Sequence, residues 1–135
     1  MSAIRAITEE EKNKLIDLSL EARDRAYCPY SKFKVGAALL TEDGVWFKGA
    51  AICAERTAYV KAVSEGYSKF IALGVSSSEN IICSPCGICR QFISEFGPKN
   101  LPVYLIKPDR EYEIMTVEEL LPNSFSPEET ARFLQ

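Results

Sequence analysis

With 135 residues the chain has room for one domain on one core, and a composition 47% apolar and 26% charged is that of a folded globular protein without low-complexity linkers. A net charge of -3, with acids and bases mixed along the chain, leaves no basic stripe to neutralise phosphates and disfavours nucleic acid as a partner. No apolar run is long enough for a bilayer, and Arg5, Glu9, Glu10, Glu11 and Lys12 occupy the place of a signal peptide's apolar core, so a single cytoplasmic domain over 1–135 is expected, with no membrane partner.

Thr8 followed by Glu11 is a capping-box pattern, and Leu15, Leu18, Ala22 and Ala26 recur behind it at helical spacing. A first amphipathic helix to about Ala26 is predicted. Pro29 restrains its own backbone and that of Cys28 and ends it, after which Lys34 to Leu40 reads as a largely buried strand. Glu42-Asp43-Gly44 is a hairpin signal, so Val45 to Lys48 pairs antiparallel with that strand and stops at Gly49. Ala54, Ala58 and Ala62 give the next helix a small-residue face for close packing on a sheet, with Cys53 at its start and Gly66 as its stop. Phe70 to Ser76 is a further buried strand. Ser84-Pro85 supplies an N-cap and a first-turn proline, which places Cys86 and Cys89 in the first turn of a helix that buries Ile88, Phe92, Ile93 and Phe96 and stops at Gly97-Pro98. Pro102 to Ile106 and Glu111 to Met115 complete the strands, with Asp109 in the turn between them. Val117 to Leu121 and Pro127 to Leu134 are short helical pieces.

This alternation predicts an α/β fold, a three-layer α-β-α sandwich about a central mixed sheet of about five strands. Both cysteine-bearing helices follow strands or their loops. Their N-termini can meet at one end of the sheet, where sites of α/β proteins tend to lie.

The chain holds five cysteines and no histidine, so acid–base catalysis and metal ligation fall to thiols and carboxylates. Cys86-Gly87-Ile88-Cys89 alone fits a redox pair or a structural zinc site as well as anything else. Cys53 adds a third sulfur. Three thiolates suit a catalytic zinc, because structural sites use four protein ligands and catalytic ones leave a position for water. Glu55, two residues beyond Cys53, is close enough to exchange a proton with that water without binding the metal. Three thiolates and Zn2+ sum to minus one, which weakens the metal as a Lewis acid. Arg56 and Arg90, each beside a cysteine of the set, offer hydrogen bonds to the sulfurs, and each helix N-terminus adds about half a positive charge. Cys28 and Cys83 lack such companions and read as small apolar fillers, and Phe33 and Phe125, by residue type alone, read as core.

Cys53-Ala54-Glu55-Arg56-Thr57-Ala58 and Ser84-Pro85-Cys86-Gly87-Ile88-Cys89-Arg90-Gln91 resemble, position by position, the two motifs of the short, homotetrameric, three-cysteine cytidine deaminases. Cys28-Pro29-Tyr30-Ser31-Lys32-Phe33, Val35-Gly36-Ala37-Ala38-Leu39-Leu40 and Glu119-Leu120-Leu121-Pro122-Asn123-Ser124-Phe125 resemble further segments of that family, so the similarity covers nearly the whole chain. The resemblance implies hydrolytic deamination of cytidine and 2′-deoxycytidine to uridine and 2′-deoxyuridine in pyrimidine salvage. It implies one Zn2+ per chain on Cys53, Cys86 and Cys89, zinc hydroxide attacking C4 of the cytosine ring, and Glu55 as the proton shuttle that protonates N3. Phe33 and Ala54 are then substrate contacts. Phe125 would reach into a neighbouring subunit's pocket in a homotetramer with shared active sites, and Arg56 and Arg90 would compensate the thiolate charge.

One departure stands out. Between the Lys-Gly that ends the second strand and the Cys-Ala-Glu, the family carries an Asn-x-Glu-Asn-Ala loop whose Asn and Glu bind the ribose 3′-hydroxyl. Here Gly49-Ala50-Ala51-Ile52 leads straight into Cys53, and the loop is absent. Without the loop the zinc chemistry can survive, because its ligands lie elsewhere, while the sugar would forgo charge-assisted hydrogen bonds worth roughly 1.5–3 kcal/mol each. Weak nucleoside binding is the expectation. Two alternatives stay open: a loop-shortened variant that deaminates another cytosine-containing substrate, and a catalytically impaired scaffold in which zinc supports only the fold or an oligomer.

Overall fold

A computed structural model of the chain describes residues 5–24, 35–50, 54–77, 93, 95 and 99–120. The first helix, α1, spans Glu9–Asp24 and begins in the capping box that the sequence predicts. The Thr8 amide donates to Glu11 Oε1 at 3.0 Å and the Glu11 amide donates to Thr8 Oγ1 at 3.1 Å. Arg5 joins with two hydrogen bonds of 2.8 and 3.0 Å to the same carboxylate. Its guanidinium first, and the Thr8 amide next, pull the Glu11 carboxyl down to about 2.

The buried residues of α1 are Leu15, Ile16, Ser19 and Ala22, while Leu18, expected among them, is only partly buried at the rim. Ser19 is drawn inside by its bonding. Its hydroxyl donates to the Gly36 carbonyl at 3.2 Å, and the Ser76 hydroxyl donates to the Ser19 carbonyl at 2.8 Å. Both serine hydroxyls of that seam thus have an acceptor, which is the condition for burying them.

Strands β1 (Val35–Thr41) and β2 (Trp46–Ala50) form the expected hairpin, with Gly44 at φ +85° in its turn. β2 runs past the predicted stop at Lys48, because Gly49 and Ala50 continue the ladder opposite Ala37 and Gly36. Helix α2 covers Ala54–Ser64 and is closed by Gly66 at φ +94°, where the Gly66 and Tyr67 amides donate back to the Val63 and Ala62 carbonyls, each at 3.0 Å. Strand β3, Phe70–Ser77, is buried at all eight positions. Ile93 and Glu95 are helical, inside the predicted cysteine-bearing helix; its cysteines lie outside the described residues. Strands β4 (Pro102–Ile106) and β5 (Tyr112–Thr116) enclose a turn in which Asp109 Oδ1 accepts the Glu111 amide at 3.0 Å. The short helix α3, Val117–Leu120, opens on a second capping box that sequence reading passed over, between Thr116 and Glu119. The predicted piece from Pro127 to Leu134 lies outside the described residues.

The sheet order is β2-β1-β3-β4-β5, with β3 and β4 parallel and every other neighbour antiparallel. Alternate strand residues feed two cores. Ala38, Ala72, Tyr104 and Ile106 meet α1, while Ala37, Leu39, Leu73, Val75, Val103 and Leu105 meet α2 on the other face. The architecture is therefore the expected α-β-α sandwich on a five-stranded mixed sheet. Tyr59 of α2 is fully buried and stands edge-on to Phe70, with ring centroids 5.0 Å apart, a contact worth roughly 0.5–1.5 kcal/mol beyond its area. Among the described residues no helix is long and apolar enough to cross a membrane.

Candidate active site

Register fixes which end of the sheet carries the site. Gly36 of β1 lies opposite both Ala50 of β2 and Ser76 of β3, and Ser76 lies beside Ile106 of β4. The carboxyl ends of β2, β3 and β4 therefore share one edge with the amino end of β1. Helix α2 starts there, at Ala54, with Glu55 in its first turn. The small-residue face works as the sequence suggests: Ala54, Ala58 and Ala62 are wholly buried.

Glu55 is 4% exposed, although it is a carboxylate. None of the hydrogen bonds or ion pairs among the described residues engages it. Burying such a group is costly unless something compensates, and the positive end of the α2 dipole supplies part of that compensation. Arg56 follows, half-buried. Tyr59, one turn along, is excluded as a second acid–base group, since burial pushes its phenol well above the working range.

Of the residues singled out in the sequence, Ala54, Glu55 and Arg56 are thus placed together at this end of the sheet. Cys53, Cys86, Cys89, Arg90, Phe33 and Phe125 lie outside the described residues, as do Cys28 and Cys83. Among the described residues no group of three or more potential ligands stands ready for a metal, as expected when every cysteine falls elsewhere. Sequence reading missed Gly49. A Cβ there would stand 2.2 Å from the Ala54 carbonyl oxygen and 2.7 Å from the Ala58 amide nitrogen, so β2 and the first turn of α2 meet backbone to backbone. The available signal was a glycine closing a strand just ahead of the Cys-Ala-Glu.

The family described as the cytidine and deoxycytidylate deaminase zinc-binding region matches residues 9–105, a span that includes α1 through β4 and the whole Cys-Ala-Glu and Pro-Cys-x-x-Cys set. The chain belongs to the cytidine and deoxycytidylate deaminase family. Within it, a cytidine deaminase of Sporosarcina psychrophila is 50% identical over 125 residues, covering 86% of this chain and 92% of its own length. A probable cytidine deaminase of Dictyostelium discoideum is 44% identical over 133 residues, 91% of this chain and 89% of its own. The crystal structure of cytidine deaminase from Burkholderia pseudomallei superposes with a TM-score of 0.81 at 38% identity, over 88% of this chain and all of that one. The metal of this deaminase fold is Zn2+, as the matched region's description states. In the Sporosarcina match, 125 aligned positions set against 86% of 135 residues leave about nine positions of the relative without a counterpart here.

Proposed function

We propose that this chain is a zinc-dependent cytidine deaminase, converting cytidine and 2′-deoxycytidine to the corresponding uridines with release of ammonia. The observation that carries the reading is Glu55, a carboxylate residue only 4% exposed in the first turn of α2 and two residues beyond Cys53 in sequence. Cys53, Cys86 and Cys89 would hold the metal, a soft thiolate donor set that zinc accepts. When bound, zinc supplies a Lewis acid that makes water a nucleophile near neutral pH.

The chain's own residues do the rest. Glu55 would take a proton from water and deliver it to N3 of the pyrimidine as the C4–O bond forms, then take the proton of the new C4 hydroxyl and pass it to the amine as the C4–N4 bond breaks and the C4 carbonyl forms. Its burial keeps bulk water from competing for those protons. Ala54, with Phe33, lines the pyrimidine side, and Arg56 and Arg90 donate hydrogen bonds that offset the thiolate charge. The α2 N-terminus acts in the same sense.

The short connection ahead of Cys53 supports weak sugar binding within this reading, so the base carries recognition. A homotetramer with Phe125 completing a neighbour's pocket is the proposed assembly. Val60 and Val63, 54% and 39% exposed one turn apart on α2, support association of copies. A single domain working in the reducing cytoplasm suits a site of three thiolates. Loss of cytidine absorbance, followed with metal-analysed protein over a wide substrate range, tests the reading. Turnover with one zinc per chain and a high KM is expected. Stoichiometric zinc without deamination at saturating substrate refutes it and favours the scaffold.

A further inference from the structure

Gly49 is neither at a turn nor in the left-handed region, since among the described residues the glycines with positive φ are Gly44 and Gly66. What its position demands is space. The atoms a Cβ would strike, the Ala54 carbonyl oxygen at 2.2 Å and the Ala58 amide nitrogen at 2.7 Å, are backbone, so no rotamer change relieves the contact. A second tie joins the same two elements, the Lys61 ammonium donating to the Lys48 carbonyl at 2.6 Å. Lys48 in turn pairs with Glu21 of α1 at 2.7 Å, which holds this strand from its other face. Ala50 and Ala54 are separated by only three residues, so displacement at the end of β2 is passed to the first turn of α2.

We propose that Gly49 is a positioning residue for the deamination: its missing side chain seats β2 on the first turn of α2 and thereby sets where the Glu55 carboxylate stands against the substrate. The inference rests on Glu55 as the proton carrier. Proton transfer depends on hydrogen-bond reach, and misplacement by an ångström can cost on the order of 100-fold in rate.

Gly36 provides a matched comparison. A Cβ there would meet the Arg23 amide nitrogen at 2.2 Å and the Ser19 carbonyl oxygen at 2.3 Å, an equally severe clash, but against α1, which carries none of the site residues. Gly49→Ala, Gly36→Ala, Lys61→Met and Glu55→Gln are compared as zinc-loaded protein for Tm, kcat and KM for cytidine. Both glycine variants are expected to lose Tm alike. Gly49→Ala is expected to lose about 10- to 100-fold in kcat with KM changed less than about threefold, while Gly36→Ala keeps kcat within about twofold. Lys61→Met, which adds no bulk, is expected to lower kcat about threefold. A Gly49→Ala kcat within about twofold of the parent, or an equal loss in Gly36→Ala, overturns the inference. If Gly49→Ala does not fold, Lys61→Met decides, and an unchanged kcat overturns it. Turnover retained by Glu55→Gln overturns the proton-carrier reading and this inference together, whereas a dead Glu55→Gln beside an unaffected Gly49→Ala overturns the positioning alone.

Discussion

Replacing Glu55 with Gln separates catalysis from stability more sharply than any other change to this chain. The side chain keeps its shape and loses its charge and its proton-carrying capacity. General acid–base catalysis by one positioned group contributes about 10²–10⁴-fold, or roughly 3–5.5 kcal/mol of barrier. In the proposed mechanism this carboxylate serves at N3 and again at the departing amine, so the upper end of that range is expected for the fall in kcat. Stability is expected to move the other way. Glu55 is 4% exposed, and no hydrogen bond or ion pair among the described residues engages it, so an amide of the same shape disturbs no described contact. In zinc-free protein Tm is expected to be unchanged or to rise, by a few degrees at most. The assay is cytidine turnover by absorbance beside calorimetry of the apo and zinc-loaded forms. A variant that retains more than about a tenth of kcat refutes the proton-carrier role. A variant whose apo form melts several degrees lower refutes the claim that the carboxylate is structurally idle.

Other perturbations reach different parts of the molecule. Removing zinc with a chelator at neutral pH is expected to abolish turnover and lower Tm, and re-adding Zn2+ to restore both; a Tm indifferent to chelation contradicts a metal bound by the folded chain. Ser19→Ala removes the hydroxyl that donates to the Gly36 carbonyl at 3.2 Å, which is expected to cost roughly 1 kcal/mol in denaturant melts while kcat is unaltered. Glu11→Ala loses the capping box and the Arg5 pair, with an expected cost of roughly 1 kcal/mol at pH 7. Its carboxyl is held down to about 2, below the ordinary 4.5, so the ionised form stabilises the fold fully above about pH 4.5. That contribution fades as pH falls towards about 2, and the Tm gap between parent and variant is expected to close over the same interval. A gap that stays constant through it refutes the assignment.

Local rules carried a long way here. The Thr8–Glu11 box, the Gly44 turn, the Gly66 stop and the Ala54-Ala58-Ala62 face are each set by residues within a few positions of one another, and each formed where the chain predicted it. The strand Pro102–Ile106 was placed to the residue. The proposed metal set and Glu55 stand out in the sequence for a related reason: chemistry demands particular residue types, and those types in tight spacing leave a signature. What periodicity could not show was anything decided by a neighbour distant in sequence. Leu18 is the more apolar residue, yet Ser19 is buried, because its hydroxyl and carbonyl have partners at Gly36 and Ser76 that exist only once β1 and β3 lie under α1. In the same way β2 overran its predicted end because Ala37 and Gly36 were there to pair with Gly49 and Ala50. Gly49 read as the stop after a strand, and only the approach of α2 turned its lack of a side chain into a requirement, since van der Waals exclusion acts between whatever atoms the fold brings together, regardless of their separation along the chain.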